Sequence, residues 1–150
     1  MEKYIVFTLQ DQSYAVQVQH VVSIERQLKI TPLPKTADFI KGIIQLRGET
    51  IPIIDLSERL SIKNASTDDD KQILILNVDS VVVGFIVDTA TDVLDLRQEE
   101  INPVPTLFNG IDKNFLQGIA YKEDDFILLL DLHYIIDQNE KNALLQVIHD

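Results

Sequence analysis

Residues 39–56 and 115–132 are two copies of one pattern, and that self-match limits the architecture more than any other feature of the chain. Phe39 to Leu56 reads FIKGIIQLRGETIPIIDL, and Phe115 to Leu132 reads FLQGIAYKEDDFILLLDL. Without a gap, Phe39, Gly42, Ile43, Ile51, Asp55 and Leu56 fall on Phe115, Gly118, Ile119, Ile127, Asp131 and Leu132, an offset of 76. Each copy is an apolar run, a polar turn (Arg47-Gly48-Glu49 or Glu123-Asp124-Asp125) and a second apolar run. That is the signature of a β-hairpin.

The match extends towards the N-terminus with small, ordered gaps. Ile30-Thr31-Pro32-Leu33-Pro34 pairs with Ile101-Asn102-Pro103-Val104-Pro105 at an offset of 71, and Tyr4–Gln10 resembles Gln72–Val78 at about 68. Offsets that only grow along the chain indicate one ancestral unit with insertions in its second copy. The reading is two related β units, about 1–60 and 72–136, joined by a polar linker over 61–71. With about 60 to 65 residues each, the units are marginal alone and are expected to share a core.

Within the units, Tyr4–Leu9 and Tyr14–Val18 flank a polar turn and predict a first hairpin; Ile73–Val78 and Val81–Val87 flank Asp79-Ser80 and predict its counterpart. Val21, Val22 and Ile24 suit either a helical turn or a strand. Pro52, inside an apolar run, cannot donate to a ladder, so an open edge or a bulge is expected there. Gly84 interrupts another apolar run and predicts a bend or a close backbone approach. Asp55, three residues before Glu58, predicts a capped short helix over Leu56–Leu60. Ala143, Leu144, Val147 and Ile148 have helical spacing, which predicts a C-terminal helix over 140–150.

Charge narrows the function classes. Thirteen basic against 24 acidic side chains give a formal charge of −11, which disfavours non-specific binding to nucleic acid or anionic membrane. The chain has no cysteine, which excludes disulfides, thiolate metal sites and a cysteine nucleophile. No apolar run approaches the roughly 20 residues needed to cross a bilayer. The start MEKYIVFTLQ lacks the basic region and cleavage site of a signal peptide. From these features a cytoplasmic protein is expected.

Catalytic groups are sparse. Asp55 and Asp131 are repeat-related and suggest, at most, a paired-aspartate hydrolase. Bulky Leu56 and Leu132 follow them, where such a dyad needs a tight turn of small residues, and helix capping accounts for both. His20, His133 and His149 lack metal-ligand spacing, and no phosphate-binding or nucleophile motif is present. Leu107 and Phe108, beside Asn109-Gly110 in the insertion of the second copy, are apolar where a loop is ordinarily polar. Arg47 stands at a turn and offers a planar donor fork to a carboxylate or carbonyl.

With these residues in place, the chain resembles CheW-type chemotaxis coupling proteins over nearly its whole length. FIKGIIQLRGETIPIIDL resembles the family's G-x-x-x-L-R-G-x-x-x-P-x-x-D-L core through Gly42, Leu46, Arg47, Gly48, Pro52, Asp55 and Leu56; YIVFTL, TPLP and VVVGFIVDTATDVL add to the match. The resemblance implies a mainly β fold of two intertwined five-stranded SH3-like barrels sharing a core, within a single domain spanning 1–150. It implies a non-enzymatic adaptor, without a cofactor and a monomer when free. Such an adaptor couples the cytoplasmic tip of chemoreceptors to the regulatory domain of the histidine kinase CheA in membrane-associated arrays. Receptor binding would fall on Val21, Ile24, Glu25, Gly42, Arg47 and Gly84, in an apolar groove between the barrels, and kinase binding on Lys41, Leu107 and Phe108. Where many members carry an acid just before the residue matching Ile24, this chain has Ser23, with Glu25 as the neighbouring acid.

Overall fold

The structure, a computed structural model, describes residues 1–26, 28–34, 38–62, 71–105 and 111–136. They form β1 (Glu2–Leu9), β2 (Gln12–Gln17), β3 (Val21–Arg26), β4 (Ile40–Leu46), β5 (Glu49–Asp55), β6 (Gln72–Val78), β7 (Val81–Val87), β8 (Thr89–Leu96), β9 (Ile101–Asn102), β10 (Leu116–Lys122) and β11 (Asp125–Leu130). Two four-residue helices, α1 (Leu56–Arg59) and α2 (Leu132–Ile135), follow β5 and β11. The expected C-terminal helix over 140–150, most of the linker, and Leu107 and Phe108 lie outside the described residues. Val21, Val22 and Ile24, which suited either a helical turn or a strand, are strand, in β3, and a single 3-10 turn (Val18–His20) precedes them.

The hairpins β1–β2, β4–β5, β6–β7 and β10–β11 all close through two-residue turns whose central residues have positive φ. These are Gln10 and Asp11, Arg47 and Gly48, Asp79 and Ser80, and Glu123 and Asp124. Such turns match the right-handed twist of the flanking strands.

The sheets do not follow the repeat. One is ordered β8-β1-β2-β11-β10-β9 and the other β3-β6-β7-β5-β4. The first hairpin of each unit is thus built into the sheet of the other: β2 pairs in parallel with β11, and β7 pairs in parallel with β5. This is the intertwining that the family resemblance implies. Each sheet also closes on itself, because the chain leaving its edge strand returns to the opposite edge. After β3, Thr31 exchanges two backbone hydrogen bonds with Ile43 of β4 (2.8 and 2.9 Å). After β8, β9 pairs with β10 through Asn102 and Ile119, the repeat equivalents of Thr31 and Ile43. The closing contact spans two residue pairs in the second copy and one in the first, which is why one sheet has a sixth strand.

Three apolar layers result. Tyr4, Val6, Ala15, Leu94, Leu96, Ala120, Ile127 and Leu129 fill the first barrel. Ile44, Ile51, Ile53, Ile73 and Ile75 fill the second. Phe7, Leu9, Tyr14 and Val16 meet Ile54, Leu74, Leu76, Val83 and Phe85 in the layer between them. Arg59 spans the joint: its guanidinium lies 4.8 Å from the centroid of Phe115 and 5.7 Å from that of the repeat-related Phe39, and its Nε donates to the Ile135 carbonyl at 3.0 Å.

Pro52 does not mark an exposed edge. β5 lies between β4 and β7. Ile43, opposite Pro52 on β4, directs both its N–H and its C=O to Thr31, and pairing with β7 begins only at Ile53. The missing N–H is therefore not required on either side, and the side chain is buried.

Candidate functional site

The residues matched between the two copies have structural tasks that the geometry makes explicit. The Asp55 N–H donates to the Phe39 carbonyl, and the Asp131 N–H donates to the Phe115 carbonyl, both at 2.8 Å. Asp55 Oδ1 accepts from the Glu58 N–H at 3.3 Å, and Asp131 Oδ1 from the Tyr134 N–H at 3.2 Å. Each carboxylate caps its own short helix, as the capping argument requires. A paired-aspartate hydrolase draws no support from that arrangement.

Gly42 and Gly118 are where the closing segments cross their sheets. A Cβ on Gly42 would stand 2.2 Å from the Thr31 carbonyl oxygen, and one on Gly118 would stand 2.9 Å from that of Asn102. Gly84 admits three isoleucines: its Cβ would stand 2.6 Å from Ile53 Cδ1 and 2.9 Å from Ile73 Cγ2. The close backbone approach expected at Gly84 is not what the structure has: the atoms that approach are isoleucine side chains inside a barrel, which leave no room for a Cβ. Gly42 and Gly84 are both buried, so their place among the receptor-site candidates is beneath a surface.

Seven of the candidates fall in one barrel: Val21, Ile24 and Glu25 on β3, Lys41 and Gly42 on β4, Arg47 at the β4–β5 turn, and Gly84 on β7. Their side chains divide by register row. Ser23, Ile75, Gly84, Ile53 and Gly42 form one row across all five strands, and Ile24, Leu74, Phe85, Ile54 and Ile40 form the next. The first row belongs to the barrel interior. Leu74, Phe85, Ile54 and Ile40 of the second belong to the layer between the barrels. Ile24 ends that second row on the edge strand, 37% exposed, at the open rim of the inter-barrel layer. Ser23 and Glu25 alternate to the other face, where the Ser23 hydroxyl is buried without a hydrogen-bond partner.

Val21 is half-buried against the inter-barrel core, whereas Val22 is 53% exposed. The cause is a register shift between Val21 and Ser23, which turns Val22 outward at a bulge. Periodicity alone does not reveal it, and Val22 is one of the apolar surface residues that sequence reading misses. Lys41 has the same origin: pairing shifts between Ile40 and Gly42, which leaves Lys41 exposed. Arg47 projects from the hairpin tip, exposed, and among the described residues has no hydrogen-bond or ion-pair partner. The second copy carries Gln117 and Glu123 at the positions of Lys41 and Arg47.

The fold also joins residues that look isolated in the sequence. The rings of His20 and His133 lie edge to face at 6.0 Å, and His133 Nδ1 is 2.9 Å from the Asp79 carboxylate. No group of three metal-ligating side chains forms among the described residues, and none of their helices is long and apolar enough to cross a membrane.

Comparison with known proteins adds sequence and structural relatives. The profile of the CheW-like domain family matches residues 3–140. Chemotaxis protein CheW of Klebsiella aerogenes is 31% identical over 139 residues, covering 93% of this chain and 84% of that protein. Chemotaxis protein CheW of Bacillus subtilis is 32% identical over 145 residues, covering 95% and 91%. The crystal structure of the scaffolding protein TtCheW from Thermoanaerobacter tengcongensis superposes with a TM-score of 0.83 at 34% identity, covering 93% of this chain and 90% of that one.

Proposed function

The chain belongs to the CheW-like family, and from that premise we propose that it is a non-enzymatic chemotaxis adaptor coupling chemoreceptor cytoplasmic tips to the regulatory domain of the kinase CheA. The observation that carries the reading is the match along residues 3–140, continuous through both barrels. The relatives' names supply its direction, since they are chemotaxis proteins and one is titled a scaffolding protein. In this reading the protein works in the cytoplasm as a monomer when free, and its partners draw it to membrane-associated receptor arrays.

The receptor face is built on the exposed side of β3. Its apolar anchors are Val22, turned outward, and Ile24, at the rim of the inter-barrel layer. Each well-buried aliphatic side chain contributes about 1.5–3 kcal/mol before ordering costs. Arg47, without a hydrogen-bond or ion-pair partner among the described residues, orients the receptor segment by donating to a carbonyl or carboxylate. Gly42 and Gly84 shape the barrel beneath and make no contact themselves. Lys41 provides one kinase contact, and Leu107 and Phe108, outside the described residues, provide the other.

The test is an amide-shift titration of labelled protein with a receptor-tip fragment and, separately, with the kinase regulatory domain. The receptor fragment is expected to shift Val22, Ile24 and Arg47, and Arg47→Glu to weaken it at least about tenfold, roughly 1.4 kcal/mol, without moving the unfolding midpoint. Absence of shifts with both partners at high concentration would overturn the reading.

A further inference from the structure

The two barrels offer an internal comparison at their hairpin tips. In the first copy, the second cross-strand pair from the turn is Gln45 and Thr50, joined by a hydrogen bond from Gln45 Nε2 to Thr50 Oγ1 at 2.8 Å. The equivalent pair in the second copy is Tyr121 and Phe126. Their rings meet at 6.4 Å, inclined by 63°, yet remain 64% and 43% exposed. The first copy shows that this hairpin geometry does not require aromatic side chains, and two large exposed rings beside each other are costly to leave in water.

Acidic residues follow the pair towards the turn. The turn beyond it is Glu123-Asp124, and Asp125 follows, against a single cation, Lys122. Gln12 Nε2 donates to the Phe126 carbonyl at 3.1 Å, which brings the β1–β2 turn and its exposed Asp11 alongside. The matching end of the other barrel carries Arg47 at its turn.

We propose that the β10–β11 hairpin tip is a further docking surface, separate from the β3 face, for a polypeptide segment that presents Lys or Arg side chains next to aliphatic ones. The aliphatic groups cover the exposed faces of Tyr121 and Phe126, and the cations meet Asp11, Glu123 and Asp124, with the rings themselves open to a cation over their faces. The charge of −11 disfavours a second copy of this chain, a nucleic acid or an anionic lipid surface as the occupant.

The test titrates the labelled full chain with a nine-residue peptide of alternating lysine and leucine, and with nonalysine as the charge-only probe. The mixed peptide is expected to shift amides at Gln12 and from Tyr121 to Phe126 at concentrations where nonalysine does not. The double substitution Tyr121→Gln with Phe126→Thr imports the pair that the first copy tolerates, so folding is retained; it is expected to weaken the mixed peptide about tenfold while receptor-fragment binding is unchanged. Equal binding of the two probes, or an unaltered titration of the double variant, overturns the proposal. So does self-association of the free protein that the double substitution abolishes, since the occupant would then be a second copy.

Discussion

Positions shared by the two copies build the fold, and positions that differ between them form its distinctive surfaces. Gly42 and Gly118 let the closing segments pass, and Asp55 and Asp131 cap helices. Arg47, Lys41, Tyr121 and Phe126 have counterparts of different chemistry and are exposed. Gly42 tests the structural half of this division. Its φ of 156° and the 2.2 Å approach to Thr31 mean that Gly42→Ala must displace backbone, with an expected loss of about 2 kcal/mol or more. Gly48, at φ 81° with open space around it, loses only about 1 kcal/mol in Gly48→Ala. Denaturant midpoints at equal slope compare the two. Equal losses would show that the closing contact at Thr31 is dispensable.

At the scale of elements, the four-residue helices depend on their caps, because so short a helix has little stability of its own. Asp55→Ala and Asp131→Ala are each expected to cost about 0.5–2 kcal/mol. Asn retains a capping oxygen, so Asp55→Asn should cost less than Asp55→Ala by equilibrium unfolding. If Asn were as damaging as Ala, the carboxylate charge would be serving some purpose other than a cap. The hairpins were legible in the apolar runs on either side of their turns. β8 was not, since its TATDVLDL sequence interleaves polar residues and its place is set by pairing with β1. The bulges at Val22 and Lys41 were also hidden, because a one-residue shift arises from sheet closure and not from local propensity.

The whole molecule is tied together by hairpin exchange. β1–β2 finds partners only in strands from the second copy, and β6–β7 only in strands from the first. Phe7, Tyr14 and Val16 need the facing Leu74, Val83 and Phe85 to be buried, and Arg59 bridges the copies at Phe39, Phe115 and Ile135. A fragment of residues 1–62 and one of residues 71–150 are therefore each expected to lack a cooperative thermal transition, and an equimolar mixture to regain strand content by circular dichroism. Cooperative melting of either fragment alone would show that a single copy can satisfy its own edges.

The sequence alone determined the duplication, the four hairpins, the capping aspartates and the family, because these are local patterns or matches at set spacing. The tertiary structure decided which sheet each hairpin enters and which side of β3 faces outward. It also showed that Gly42 and Gly84 are buried supports, and it brought Gln12 of β2 against Phe126 beside Tyr121. Those outcomes rest on pairings between residues far apart in the chain. In a duplicated sequence both copies carry nearly the same apolar pattern, so the pattern cannot distinguish pairing within a copy from pairing between copies. Only the packing of the shared layer does that.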